Sequence, residues 1–218
     1  MLYFKPTRYE FDPGGGTLAQ VTPAQVGLRV LMLVITAVFA LLALAFLMRS
    51  QFPDWQGLAD QPWMPLADPW RLWINTALLA ASSVALQWAR VAARRGERRA
   101  TAWGLGAGGL LAFAFIGGQL GAWNDLAARG FFVASNPANS FFYLITGLHG
   151  AHLIGGLIAW ARAALRLTRG ADLARVRTTV ELCTTYWHFL FVVWLAMFAL
   201  ITRPQETLAA LAAICGLR

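Results

Sequence analysis

The stretch FFYLITGLHGAHLIGGLIAWAR, Phe141–Arg162, is apolar almost throughout, yet two of the chain's three histidines, His149 and His152, sit near its centre. Its 22 residues match the ~20 needed to cross the hydrocarbon core of a bilayer as an α-helix. Lipid offers no partners for backbone N–H and C=O groups, so a segment of this composition must be helical. A polar ring at the middle of such a helix is costly and calls for a reason. Metal or haem ligation is one reason. Hydrogen bonding between packed helices is another.

Four more runs of the same kind lie along the chain. Apolar segments cover about 26–48, 70–90, 101–123, 140–161 and 182–202. Only 13% of the 218 residues are charged and 58% are hydrophobic, where a soluble domain carries roughly 25% charged residues. The expected fold class is all-α: a polytopic membrane bundle of five transmembrane helices. It would be preceded by a polar arm over 1–25 and followed by a short tail over 204–218.

The net charge of +8 suggests nucleic acid, but the placement of the arginines argues for membrane topology. RVAARRGERR (90–99) and RAALRLTRGADLARVR (162–177) hold five arginines each. With Lys5, Arg8 and Arg29 these make thirteen of the eighteen basic residues, all on one side. Positive charge collects on the cytoplasmic side. This predicts a cytoplasmic N-terminus, a periplasmic C-terminus, and no nucleic-acid partner. Arg94, Arg95, Arg98, Arg162 and Arg166 are expected to face lipid headgroups, each worth ~1 kcal/mol near an anionic surface.

The polar groups within or beside the spans are the candidates for function. They include Asn75, Gln119, Tyr143, Thr146, His149, His152, Glu181, Tyr186, Trp187 and His188. Di-iron bundles require paired Glu-x-x-His motifs and two further glutamates. Here Glu181 is the one acid at a span boundary, and no such motif occurs. No metal site and no catalytic residue are therefore expected. A single haem between His152 and His188 fits the depth of the two residues, although Tyr186, Trp187, Phe189 and Trp194 crowd His188. Interhelical hydrogen bonds are the competing account. Glu181 reads either as a helix-end charge paired with nearby arginines or as a headgroup or proton-relay contact. Cys183 and Cys215 flank the last span, too far apart for a disulfide. Gly147, Gly150, Gly155 and Gly156 read as points of close helix approach, so Gly150→Leu is expected to disturb the fourth span.

TGLHGAHLIGG (146–156) followed by ELCTTYWHFLFVVWLAMF (181–198) resembles subunit III of the haem-copper cytochrome c oxidases. NTALLAASS (75–83) and FAFIGGQLGAW (113–123) are similar to two further segments of that family. The resemblance implies the five-span bacterial form, in a cell inner membrane. It implies an accessory subunit of a proton-translocating terminal oxidase, without an active site or redox centre of its own. Haem and copper would reside in partner subunits. The partners would be subunit I above all, then subunit II and small subunits, with bound phospholipid. A quinol oxidase or a nitric oxide reductase association is the alternative, and a stand-alone bis-histidine haem protein a further one. The chain departs from the family where acids are common: Val34–Thr36, Ala122 and Phe191 stand at or near those places.

Overall fold

The computed structural model describes residues 22–58, 65–66 and 68–216, apart from the side chain of Arg175. These residues form six α-helices and no strand. They are α1 (Pro23–Arg49), α2 (Trp70–Arg94), α3 (Arg98–Ala128), α4 (Pro137–Thr168), α5 (Leu173–Ile201) and α6 (Gln205–Ile214). The first five are long and apolar enough to cross a membrane. They overrun the apolar segments at most ends, and the tail contributes the short helix α6.

Local chemistry sets the helix ends. Thr22 and Gln25 form a reciprocal capping box at the start of α1, with Pro23 in the first turn. Asn136 caps α4 by accepting from the Ala138 N–H at 3.0 Å, and Asp172 caps α5 by accepting from the Ala174 N–H at 3.2 Å. Each cap satisfies an N–H that has no partner inside its helix. At the other end, Gly96 and Gly170 take φ of +78° and +80°, the left-handed geometry that closes α2 and α4. The chain then turns back within three residues or fewer.

α2, α3, α4 and α5 close into a ring, each packing on the next, with α5 returning to α2. α1 lies outside this ring against α4 and α5, and α6 folds back beside α1. The α2–α3 seam is the most extensive, and it is built from small residues. A Cβ on Gly104 would fall 2.8 Å from Ala89, and one on Gly108 2.7 Å from Leu86. The two antiparallel backbones thus approach at a distance only glycine permits. The Ser82 hydroxyl uses that closeness to donate to the Gly108 carbonyl at 2.8 Å. Bulk fills the ring's interior: Trp187, Trp194, Phe115, Phe142, Leu79 and Leu153 are fully buried. α1 contributes much less, burying Ile35, Phe39, Phe46 and Leu47 and leaving Leu33 and Leu41 outward.

The close-approach glycines of α4 are not all the ones expected. A Cβ on Gly156 would meet Trp187 at 3.0 Å and Tyr186 at 3.2 Å, and one on Gly147 would meet Trp123 at 3.4 Å. Gly150 and Gly155 face open space. The expected role of Gly150 as a point of close helix approach is therefore not met: a Cβ there would have no neighbouring atom within 4 Å. Cys183 is buried and Cys215 exposed, and both thiols are free.

Candidate functional site

The three histidines diverge. His149 turns inward and is buried among the rings of Phe39, Phe115 and Trp194, with centroids at 6.5, 6.0 and 5.2 Å. Neither of its nitrogens has a hydrogen-bond partner among the described residues. His152, three residues on, points toward α1. Its Nδ1 lies 2.8 Å from the Leu148 carbonyl of its own helix, and its ring packs on Phe39 at 5.7 Å. His188 faces α2 instead, where its Nδ1 meets the Ser83 hydroxyl and its Nε2 lies 3.2 Å from Oε1 of Gln87. His152 and His188 thus address different helices. Among the described residues no group of three or more His, Cys, Asp or Glu side chains is arranged to hold a metal ion.

Several other candidate residues do bridge helices. Tyr143 donates to the Phe131 carbonyl of the α3–α4 loop at 2.9 Å and lies 3.4 Å from the Trp123 carbonyl of α3. Thr146 accepts from Trp123 Nε1 at 3.1 Å while donating to Phe142 of its own helix. Tyr186 donates to the His152 carbonyl at 3.2 Å, which ties α5 to α4. Asn75 and Gln119 face each other across the α2–α3 seam at 3.4 Å. Trp187 packs beneath Gly156, and its Nε1 has no hydrogen-bond partner among the described residues. Trp194 and Thr76, which the sequence reading did not single out as a pair, join α5 to α2 at 2.9 Å. In sequence, both look like ordinary span residues.

The five candidate arginines gather at one end of the bundle and divide into two sets. Arg94 is held by the protein: its Nε donates to Glu181 Oε1 at 2.7 Å, and Arg177 joins the same oxygen at 3.3 Å. Glu181 thereby clamps the end of α2 to the start of α5. Arg98 reaches the last turn of α4 and donates to the carbonyls of Leu167 and Ala171. There it supplies the cation that a helix C-terminus favours. Arg95 is exposed beyond the end of α2. Arg162 and Arg166 lie one turn apart on the outer face of α4, exposed, with Arg166 donating to Thr179 at 3.1 Å.

Arg162 and Arg166 stand at the mouth of a groove of about 610 Å³ between α1 and the α4–α5 pair. Its walls are Leu28 and Leu31 of α1, His152 and Gly155 of α4, and Cys183 and Tyr186 of α5. Glycine at 155 leaves the wall without a side chain, which gives Gly155 a role other than helix contact. An apolar trough capped by two cations is chemically complementary to an anionic headgroup with an acyl chain.

A family model described as cytochrome c oxidase subunit III matches residues 12–203. Cytochrome bo(3) ubiquinol oxidase subunit 3 of Pseudomonas aeruginosa is 34% identical over 131 residues, covering 59% of this chain and 61% of that protein. Cytochrome c oxidase subunit 3 of Corynebacterium diphtheriae is 31% identical over 128 residues, 59% of this chain and 62% of that one. The Triticum aestivum protein of the same name is 33% identical over 135 residues, 62% and 50% of the two chains. The alignments thus span between half and three fifths of the relatives' length.

Proposed function

The chain belongs to the cytochrome c oxidase subunit III family, and on that premise we propose that it is the accessory subunit III of a haem-copper terminal oxidase. Its tasks are to pack on the catalytic subunit I and to hold phospholipid at that subunit's flank. The oxidase couples respiratory electron transfer to proton translocation in a bacterial inner membrane. The basic end of the bundle, with Arg94, Arg98, Arg162 and Arg166, faces the cytoplasm, so the N-terminus lies inside and α6 lies on the periplasmic side.

The observation that carries the lipid reading is the groove between α1 and α4–α5, apolar along its length and topped by Arg162 and Arg166. The polar residues of the spans support a packing role. Tyr143, Thr146, Asn75, Gln119 and Tyr186 join helix to helix, and His188 is engaged by Ser83 and Gln87. On this reading haem and copper belong to the partner subunits.

The quinol-oxidase reading has its own support, since a relative named as a ubiquinol oxidase subunit matches as well as those named for cytochrome c. Purification of the tagged chain in mild detergent tests both. Co-purifying haem-bearing catalytic and copper-bearing subunits are expected, and the donor that reduces the complex, quinol or cytochrome c, assigns the class. Recovery of the chain alone, or with a haem band of its own that His152→Ala abolishes, overturns the proposal.

A further inference from the structure

The α2–α5 edge carries a hydrogen-bond chain that ends facing outward. Oε1 of Gln87 only accepts, so His188 Nε2 carries the proton that spans their 3.2 Å. Nδ1 is then the acceptor for the Ser83 hydroxyl. The line runs from Ser83, buried in the ring, through His188 to Gln87 on the outer surface. At its end the Gln87 amide keeps two N–H donors with no acceptor among the described residues.

The depth of Gln87 makes this consequential. It lies three residues before Arg90, where the apolar segment of α2 ends, or about 5 Å along the axis. The hydrocarbon beside it provides no acceptor. Thr36, an outward hydroxyl inside α1, donates back to the Met32 carbonyl of its own helix. Gln87 has no such local partner. Around it the surface is apolar: Val84 is 69% and Trp88 51% exposed on α2, and Val192 62% exposed on α5. Ala77 and Ala81 continue the same outward strip of α2, and small residues there let a second backbone come close.

We propose that this face, centred on Gln87 with Val84, Trp88 and Val192 around it, receives a transmembrane helix of a partner subunit. That helix presents a hydrogen-bond acceptor, a carbonyl or carboxylate oxygen, to the Gln87 amide. The arginine-topped groove lies between α1 and α4–α5, away from the α2 side of α5, so lipid retention and helix docking occupy different faces. The inference rests on the reading of the chain as a subunit of a membrane complex, and it adds which face docks.

A photo-crosslinking amino acid placed at Val84 in the purified complex tests it, with the same probe at Leu33, outward on α1, as comparison. The expected result is a crosslink from Val84 to a span of another subunit. Gln87→Met should lower retention of that subunit in detergent about threefold to tenfold, the worth of one hydrogen bond between membrane helices. Gln87→Glu, which cannot donate when ionised, should be no better. An intact complex that crosslinks from Leu33 and not from Val84 overturns the face assignment while leaving the subunit role standing. Crosslinks from Val84 to lipid alone overturn it equally.

Discussion

Gly109 of α3 and Trp160 of α4 occupy what is almost one volume. A Cβ on Gly109 would fall 2.1 Å from Cζ2 of the indole, which donates from Nε1 to the Leu105 carbonyl at 2.9 Å. Gly109→Ala should therefore eject the ring and break that bond. A loss of about 1–3 kcal/mol is expected for such overpacking, read as a lower thermal midpoint in detergent. Gly106 sits one turn away with open space at its Cβ, and Gly106→Ala should leave the midpoint unchanged or raise it. Equal effects at the two positions would contradict the packing described.

His149 poses a different test. Its ring is buried with both nitrogens unpaired among the described residues. A buried polar group without partners costs stability, and an apolar replacement of similar shape is close to neutral or favourable. His149→Leu should change stability by less than about 1 kcal/mol in either direction. A loss of several kcal/mol measured by chemical denaturation would mean the imidazole has a partner in the assembled complex.

Glu181→Gln removes the charge that Arg94 and Arg177 share. These groups are partly exposed, so the cost should stay within about 1 kcal/mol. The signature is its salt dependence. The difference between wild type and variant should shrink as ionic strength rises and the Debye length falls to ~3 Å at 1 M. A difference that salt leaves untouched would assign Glu181 a role other than charge pairing.

Replacing both Arg162 and Arg166 with Ala should empty the groove of anionic lipid. At ~1 kcal/mol per cation near the surface, each arginine is worth about a fivefold change in retention. Mass spectrometry of lipids in the purified complex provides the reading, and zwitterionic lipids should change less. Arg94, already engaged by Glu181, should have a smaller effect on the lipid inventory when replaced.

On the opposite side of the membrane, the side-chain hydrogen bond from Arg49 holds the Asp54 carboxyl below its usual range. A depressed folded-state value means the pair contributes at pH above the ordinary carboxylate value of ~3.9. That contribution is lost as pH falls from there through the depressed value. Asp54→Asn should flatten the acid limb of a stability-versus-pH curve and leave neutral pH almost unaffected. A slope unchanged by the substitution would assign the acid sensitivity elsewhere.

The five spans were legible because length and hydropathy alone dictate them, and lipid leaves the backbone no other solution. Which face of each helix turns inward was not. Glycines recur along α4 at 147, 150, 155 and 156, so spacing alone cannot distinguish Gly156, under Trp187, from Gly150, which meets nothing. The three histidines suffer from the same ambiguity. Residues three apart differ by about 60° around the axis, and that turn separates an aromatic cage from a lipid-sized groove. Arg94 and Arg98 look like topology charges in the sequence. Only the fold shows one bound to Glu181 and the other to the end of α4. Gln87 gave no sequence signal beyond being polar inside an apolar run, since its partner His188 lies far along the chain.

The placement of α1 has a consequence for biosynthesis. Among the spans, α1 packs on α4 and α5, the last two to leave the ribosome, while α2 and α3 can pair as soon as both are made. α1, made before the other four spans described, must therefore wait in the bilayer with few contacts of its own. Its few inward residues, Ile35, Phe39, Phe46 and Leu47, then join a ring that has closed without it. Late docking of α1 would be the step that completes the wall of the groove between it and the α4–α5 pair.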